Sequence, residues 1–158
     1  MKISVGTSAP DFKLFNTEKQ EVTLSQFKGN KNVLLLFFPF AFTGTCTKEL
    51  CGVRDDIARY SRVNAEVFGI SVDSPFTLAK YKEDQNFPFA LLSDFGKEVS
   101  GAYGSLYDVF GGMKLPGVSK RSAFVIDKEG IVRYAEVLEN AGEIPDFTKI
   151  NAVLEELK

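Results

Sequence analysis

Val33-Leu34-Leu35-Leu36-Phe37-Phe38-Pro39-Phe40-Ala41-Phe42-Thr43-Gly44-Thr45-Cys46 is the stretch on which the reading of this chain turns. Its six leading apolar residues, closed by Pro39, have the length and composition of a central strand covered on both faces. A short loop follows. From Thr45 to about Val63 the pattern is helical: Leu50, Val53, Ile57 and Tyr60 recur at three- and four-residue spacing, and Lys48, Arg54, Asp55 and Arg59 take the other side. Strand, loop and helix therefore place the Cys46 thiol in a first helical turn. The unpaired N–H groups and positive dipole end of a helix N-terminus favour the thiolate form of a cysteine placed there, and the thiolate is the nucleophile.

Outward from this segment, strands and helices alternate. Asp11 to Leu14 and Glu21 to Leu24 read as two short strands around the turn Asn16-Thr17-Glu18, followed by a helical turn that Gly29 closes. Val67 to Val72 is the next strand, and Asp73-Ser74-Pro75 opens a helix to about Gln85. Leu91 to Asp94 is a short strand or loop, and Lys97 to Tyr103 is helical. The glycine-rich stretch from Gly101 to Gly117 reads as an irregular surface connection. Ala123 to Ile126 and Ile131 to Tyr134 form a hairpin around Asp127-Lys128-Glu129-Gly130, and Asp146 to Lys158 is a terminal amphipathic helix. The order points to an α/β sandwich, a thioredoxin-like fold with a central mixed sheet flanked by helices and an N-terminal β-hairpin extension. Residues 1–158 read as one domain.

Composition narrows the chemistry. The 158 residues are 44% apolar and 25% charged, enough to bury a core without disulfide staples. A net charge of −2, from 19 basic and 21 acidic residues, offers no electrostatic case for nucleic acid or an anionic membrane surface. Met1 to Gly6 has no apolar stretch suited to a signal peptide, and no run reaches membrane-span length. Two cysteines five positions apart make no extracellular disulfide framework, so a reducing cytoplasmic setting is expected. The chain has no histidine, which removes Ser-His, Cys-His and His-ligated metal mechanisms together. Neither a metal nor another cofactor is expected. Gly101, Gly104, Gly111 and Gly112 lack phosphate-loop spacing, and Asp73 and Asp94 fall at strand ends, where turn and cap roles are common.

Around Cys46 the residue types converge on one chemistry. Thr43 precedes it by three positions, so a hydroxyl can reach a thiolate or one oxygen of a bound peroxide. Pro39 is rigid and lacks an N–H, which suits it to wall a pocket against water. The backbone N–H groups of Thr45 and Cys46 would face charge developing on a departing oxygen. Phe40 and Phe42 flank the loop, either as an apolar collar on a substrate pocket or as a subunit contact.

Pro39-x-x-x-Thr43-x-x-Cys46 resembles the active-site signature of the peroxiredoxins. The resemblance runs from Ala9-Pro10-Asp11-Phe12 through Phe87-Pro88-Phe89 and Asp94 to Arg121-Ser122-Ala123-Phe124-Val125-Ile126-Asp127. The stretches from Phe38 to Gly44 and from Leu91 to Phe95 are similar to the alkyl hydroperoxide reductase E subgroup. The resemblance implies that Cys46 is the peroxidatic cysteine, Thr43 the peroxide-orienting hydroxyl, Pro39 the pocket shield and Arg121 the active-site arginine. A guanidinium suits that role, being permanently charged with donors in a fixed fork, whereas the plain alternative is a surface arginine before a strand. Lys120 beside it is expected to be solvated. Glu49 is either a partner that orients Arg121 or a first-turn glutamate complementing the helix dipole.

Cys51 departs from the reductase E pattern and resembles the bacterioferritin-comigratory, or Q-type, peroxiredoxins, whose second cysteine lies in this helix. Five residues along an intact α-helix set Cα atoms roughly 8.6 Å apart, whereas a disulfide needs about 7 Å or less. Resolution by Cys51 therefore requires the helix to unwind, eased by Gly44 before it and Gly52 after Cys51. The alternative is a small buried hydrophobe facing the sheet. The resemblance implies reduction of hydrogen peroxide and organic hydroperoxides, recycling by thioredoxin or a similar thiol reductant, and either a homodimer packed near the active loop or a monomer. Two other readings stand beside it: a thiol–disulfide oxidoreductase, whose usual two-residue cysteine spacing differs from this one, and a redox-sensing interaction protein that reacts once.

Overall fold

The computed structural model describes residues 3–158; Met1 and Lys2, the start of the leader reading, lie outside the described residues. The strands are β1 (Lys13–Asn16), β2 (Glu21–Thr23), β3 (Asn32–Phe37), β4 (Ala65–Ser71), β5 (Ala90–Ser93), β6 (Val109–Phe110), β7 (Leu115–Pro116), β8 (Arg121–Ile126) and β9 (Val132–Leu138). The helices are α1 (Gly44–Asp55), α2 (Ile57–Arg62), α3 (Pro75–Gln85), α4 (Glu98–Ala102) and α5 (Phe147–Leu157), with a 3-10 turn at Leu24–Phe27. Seven strands form one mixed sheet in the order β2-β1-β5-β4-β3-β8-β9, and β6 and β7 form a separate ribbon. The β1–β2 hairpin is present as the sequence predicts, and the structure places it beside β5. No helix among the described residues is long and apolar enough to cross a membrane.

β3 is buried along its whole length because both sheet faces are covered. Leu34, Leu36 and Phe38 pack with Leu50 and Val53 of α1, Leu78 and Tyr81 of α3, and Ile150 and Leu154 of α5. Val33, Leu35 and Phe37 pack on the opposite face with Leu24 of the 3-10 turn, Val99 of α4 and Tyr103. The period-2 alternation of a strand thus divides one apolar run between two cores.

Local chemistry moved several boundaries. The first strand begins at Lys13 rather than Asp11, because the Asp11 carboxylate accepts the Phe12 and Ser25 N–H groups at 2.9 Å each and serves as a turn residue. The helix expected from Thr45 to Val63 is two helices, broken at Asp56 (φ −116°, ψ 22°). The Asp56 N–H turns back to Val53 O at 3.1 Å and its carboxylate takes Arg59 at 2.6 Å, consistent with the preference of aspartate for local bonds over continued helix. Gly44 is the first residue of α1 rather than a hinge before it. The stretch expected to be irregular, 101–117, contains the β6–β7 ribbon, whose turn uses positive φ at Gly111 and Lys114.

Registry places the site. β3 and β4 run parallel, so α1 leaves from the carboxyl end of the sheet, the usual place for a site in such folds. β8 runs antiparallel to β3 with Ser122 opposite Phe37 and Ala123 opposite Leu36. Arg121 therefore lies one residue beyond the paired end of β3, on the face that Ala123 and Val125 share with α1.

Candidate active site

The loop from Pro39 to Thr43 is held by its neighbours. Pro39 is buried, and the Ala41 N–H donates to Asp73 Oδ2 at 2.8 Å. The same carboxylate oxygen accepts the Ser71 hydroxyl at 2.7 Å, so Asp73 ties the loop to the end of β4. Asp94 instead caps α4, accepting the Ser100 N–H at 2.6 Å, the role expected for it. Phe42 occupies the left-handed region at φ +65°, a strained choice for a non-glycine residue, and turns the chain into Thr43, the N-cap of α1. The Thr47 N–H bonds Thr43 O at 3.0 Å and begins the helical ladder. The N–H groups of Gly44, Thr45 and Cys46 precede that bond and have no carbonyl behind them in the helix.

Arg121 is the centre of the arrangement. It is 1% exposed, and its fork reaches three partners. Nη2 donates to Cys46 Sγ at 3.2 Å, Nη1 to Glu49 Oε1 at 2.9 Å, and both Nε and Nη2 to Ala141 O at 3.1 and 2.9 Å. Cys46 and Glu49 lie three residues apart on α1, one helical turn, so a single guanidinium spans both. Burial opposes the charge on Arg121, but Cys46 and Glu49 outweigh it and raise the pKa above the usual arginine value. Burial pushes the Glu49 carboxyl from 4.5 up to about 7, against the pull of the Arg121 charge and hydrogen bond. Its second oxygen, Oε2, is buried without a protein partner. Glu49 is thus a buried partner of Arg121, and it lies beyond the first turn of α1, where the alternative placed it.

A cavity of about 260 Å³ opens onto the sulfur, lined by Pro39, Phe40, Thr43, Gly44, Thr45, Cys46, Phe110, Arg121, Ala141 and Gly142. A cavity of the same volume beside the 3-10 turn, lined by Ser25, Lys28 and Asp127 among others, contains no thiol. Thr43 lines the Cys46 cavity, but the hydroxyl does not make the expected contact with the thiol; it donates to Phe40 O at 2.8 Å. Phe40 is half-buried and meets Phe110 edge-on, with centroids 5.9 Å apart. Phe42 is 52% exposed and lies outside the cavity lining, its ring 5.0 Å from that of Tyr81. Lys120, expected in solvent, is largely covered and pairs with Glu139 at 2.6 Å.

Two contributors had no usable signal in the sequence: Phe110 comes from the β6–β7 ribbon and the Ala141 carbonyl from the loop after β9. Asp73 has the turn role at a strand end that the sequence suggests, though not its partner Ala41. Asn140-Ala141-Gly142 has turn composition, and the Asn140 side chain accepts the Gly142 N–H at 2.9 Å, but composition does not say which carbonyl meets an arginine.

Cys46 and Cys51 are both free thiols, and α1 is continuous between them. Cys51 is half-buried against the α1-side core, and its Sγ donates to Gln85 Oε1 at 3.4 Å. Cys51 is therefore not the fully buried hydrophobe of the core-filler alternative: its side chain is partly exposed and its thiol has a polar partner on α3.

The chain is similar to known proteins along its length. The AhpC/TSA family model matches residues 5–135. Alkyl hydroperoxide reductase E of Mycobacterium tuberculosis is 41% identical over 144 residues, 91% of each chain. The chloroplastic peroxiredoxin Q of Oryza sativa subsp. japonica is 40% identical over 133 residues, 84% of this chain and 58% of that one. Among solved structures, the peroxidoxin BcpB of Mycobacterium tuberculosis superposes with a TM-score of 0.85 at 30% identity, covering 99% of both chains. This match over nearly the whole fold, with Pro39, Thr43, Cys46 and Arg121 meeting around one cavity, identifies the chain as a member of the AhpC/TSA family, that of the peroxiredoxins.

Proposed function

We propose that this protein is a thiol-dependent peroxidase acting on hydrogen peroxide and organic hydroperoxides, with its catalytic machinery in one domain. The observation that carries the reading is Arg121 Nη2 within 3.2 Å of Cys46 Sγ at the foot of an open cavity. A fixed cation and free helix-terminal N–H groups stabilise negative charge at the sulfur and on the oxygen it displaces. The Cys46 thiolate attacks the terminal peroxide oxygen. The O–O bond breaks as the S–O bond forms, leaving a sulfenic acid on Cys46 and, after protonation, water or an alcohol.

Each lining residue has a part. The proton of the Thr43 hydroxyl is committed to Phe40 O, which leaves its oxygen free to accept from the peroxide O–H. Arg121 and the Thr45 and Cys46 N–H groups receive the departing oxygen. Pro39, Phe40 and Phe110 keep bulk water from the sulfur. Glu49 acts through Arg121, holding the second arm of its fork. Cys51 then condenses with the sulfenic acid, releasing water and forming the Cys46–Cys51 disulfide, which a dithiol such as thioredoxin reduces. Exposed Phe42 at the active loop offers an apolar contact for a homodimer, and two free thiols suit a cytoplasmic setting.

A Cys46→Ser protein tests the reading. It is expected to fold, since the change is nearly isosteric, and to consume peroxide at less than a thousandth of the wild-type rate. Turnover at the wild-type rate would place the chemistry elsewhere.

A further inference from the structure

Joining Cys46 to Cys51 requires α1 to open, and the face of α1 toward α3 shows what holds it closed. Three side chains on one ridge of α1 each bond to α3. Thr47 Oγ1 and Tyr81 OH lie 2.9 Å apart, Cys51 Sγ donates to Gln85 Oε1 at 3.4 Å, and Arg54 Nη1 donates to Gln85 O at 2.7 Å. Positions 47, 51 and 54 follow helical periodicity, and 81 and 85 are one turn apart on α3, so the seam is two parallel ridges in register. Gln85 is the last residue of α3 and Asn86 turns left-handed at φ 55°, so the Gln85 carbonyl has no helical donor ahead of it and is open to Arg54. Gln85 therefore takes two of the three bonds, one through its side chain and one through its backbone.

The other end of α1 is under strain. Phe42 holds the left-handed conformation immediately before the N-cap, and its ring rests against Tyr81, the residue that bonds Thr47. Opening α1 breaks the Tyr81 and Gln85 bonds, so the seam opposes opening together with the Arg121 bonds to Cys46 and Glu49 and the core packing of Leu50 and Val53.

We infer that Gln85, assisted by Tyr81, is a positioning residue that times the release of Cys51 and thereby sets how Cys46 sulfenic acid divides between disulfide and sulfinic acid. The inference rests on the proposed resolving role of Cys51. Two reactions compete for one intermediate. In the first, Cys46–SOH and Cys51–SH give the disulfide and water, which needs α1 open. In the second, Cys46–SOH and another peroxide ROOH give Cys46–SO2H and ROH, which needs only the cavity as it stands. The Gln85 side-chain bond is a single hydrogen bond from a weak thiol donor, and losing it raises the open fraction of α1 about two- to threefold.

Reduced full-length protein mixed with one equivalent of hydrogen peroxide, acid-quenched and read by intact mass, measures the disulfide rate. Gln85→Leu is expected to form the disulfide about two- to threefold faster than wild type, and to give about two- to threefold less sulfinic acid under a fixed excess of peroxide. The second-order rate of the first oxidation stays unchanged, which separates timing from general damage to the site. Gln85→Glu keeps an acceptor oxygen at the same reach and restores wild-type timing. Tyr81→Phe removes one oxygen and shifts the partition in the same direction, an independent check should Gln85→Leu fold poorly. A disulfide that forms at one rate in wild type, Gln85→Leu and Tyr81→Phe overturns the role of the seam and leaves Cys51 as the resolving thiol. Wild-type protein that forms no Cys46–Cys51 disulfide overturns the resolving role and this inference with it.

Discussion

Glu49→Gln converts the buried carboxyl behind the active site into a neutral group of the same shape that still offers an oxygen to Arg121. In the wild-type protein burial raises the Glu49 carboxyl from 4.5 to about 7, so the fold binds its proton more tightly than the unfolded chain does. The sign follows. A group whose folded pKa is raised contributes stability that is fully present below pH 4.5 and is lost as the pH rises through about 7. At about 1.4 kcal/mol per pH unit across that window, the loss is about 3 kcal/mol once both states are ionised. Glutamine does not titrate. The other groups titrate in both proteins, so the stability difference between them isolates Glu49. Any fixed cost of the amide, including a donor placed where Oε2 is buried without a partner, enters as a constant offset. Urea unfolding of both proteins at pH 4.5, 6, 7 and 8 gives the difference directly. The stability of wild type relative to Glu49→Gln is expected to fall by about 3 kcal/mol between the lowest and highest pH. A difference that is flat across the series, or that favours wild type as the pH rises, refutes the claim that desolvation dominates over the Arg121 pair.

Further changes probe the other contacts. Arg121→Lys replaces a fork with a point charge that cannot reach Cys46, Glu49 and Ala141 together, so the second-order rate of Cys46 oxidation in stopped flow should fall about 100- to 1,000-fold. A loss smaller than tenfold would mean that charge alone suffices. Thr43→Val removes the proposed peroxide acceptor and the bond to Phe40 O and should slow the same step roughly 10- to 100-fold, with Thr43→Ser retaining most of the rate. In the core, a Cβ on Gly69 would lie 2.7 Å from Leu91 Cδ2 and 3.3 Å from Phe38 Cε1. Gly69→Ala should therefore lower stability by about 1–3 kcal/mol in urea titrations, and unchanged stability would show that Leu91 moves aside freely.

The homodimer proposed above would meet the chemistry at Phe42. Phe42 is exposed beside the active loop while its ring touches Tyr81, a buried member of the α1–α3 seam. A partner subunit seated on Phe42 would hold the strained residue in place, linking assembly to opening of α1. Sedimentation of the reduced and disulfide forms would show it as a weaker dimer after oxidation, and equal association of the two forms would exclude the link.

The sequence by itself determined the features carried by local pattern. An unbroken apolar run announces a strand covered on both faces, and β3 is buried from end to end because alternate side chains enter two separate cores. The strand–loop–helix passage into Cys46 follows from Pro39, the turn residues and the helical spacing of Leu50 and Val53. Incompatibility of an intact α1 with a Cys46–Cys51 bond follows from helix geometry alone. The family motif nominated Arg121, but only the antiparallel registry of β8 on β3 brings its guanidinium to the sulfur. Burial decided Glu49, because its depth depends on Arg121 and the surrounding strands and not on its place in the first turns of α1. The break at Asp56 and the ribbon carrying Phe110 escaped the pattern because each rests on side-chain bonds or pairings that periodicity does not encode. The seam to Gln85 escaped for the same reason: hydrogen bonds between distant helices depend on packing, which only the tertiary structure sets.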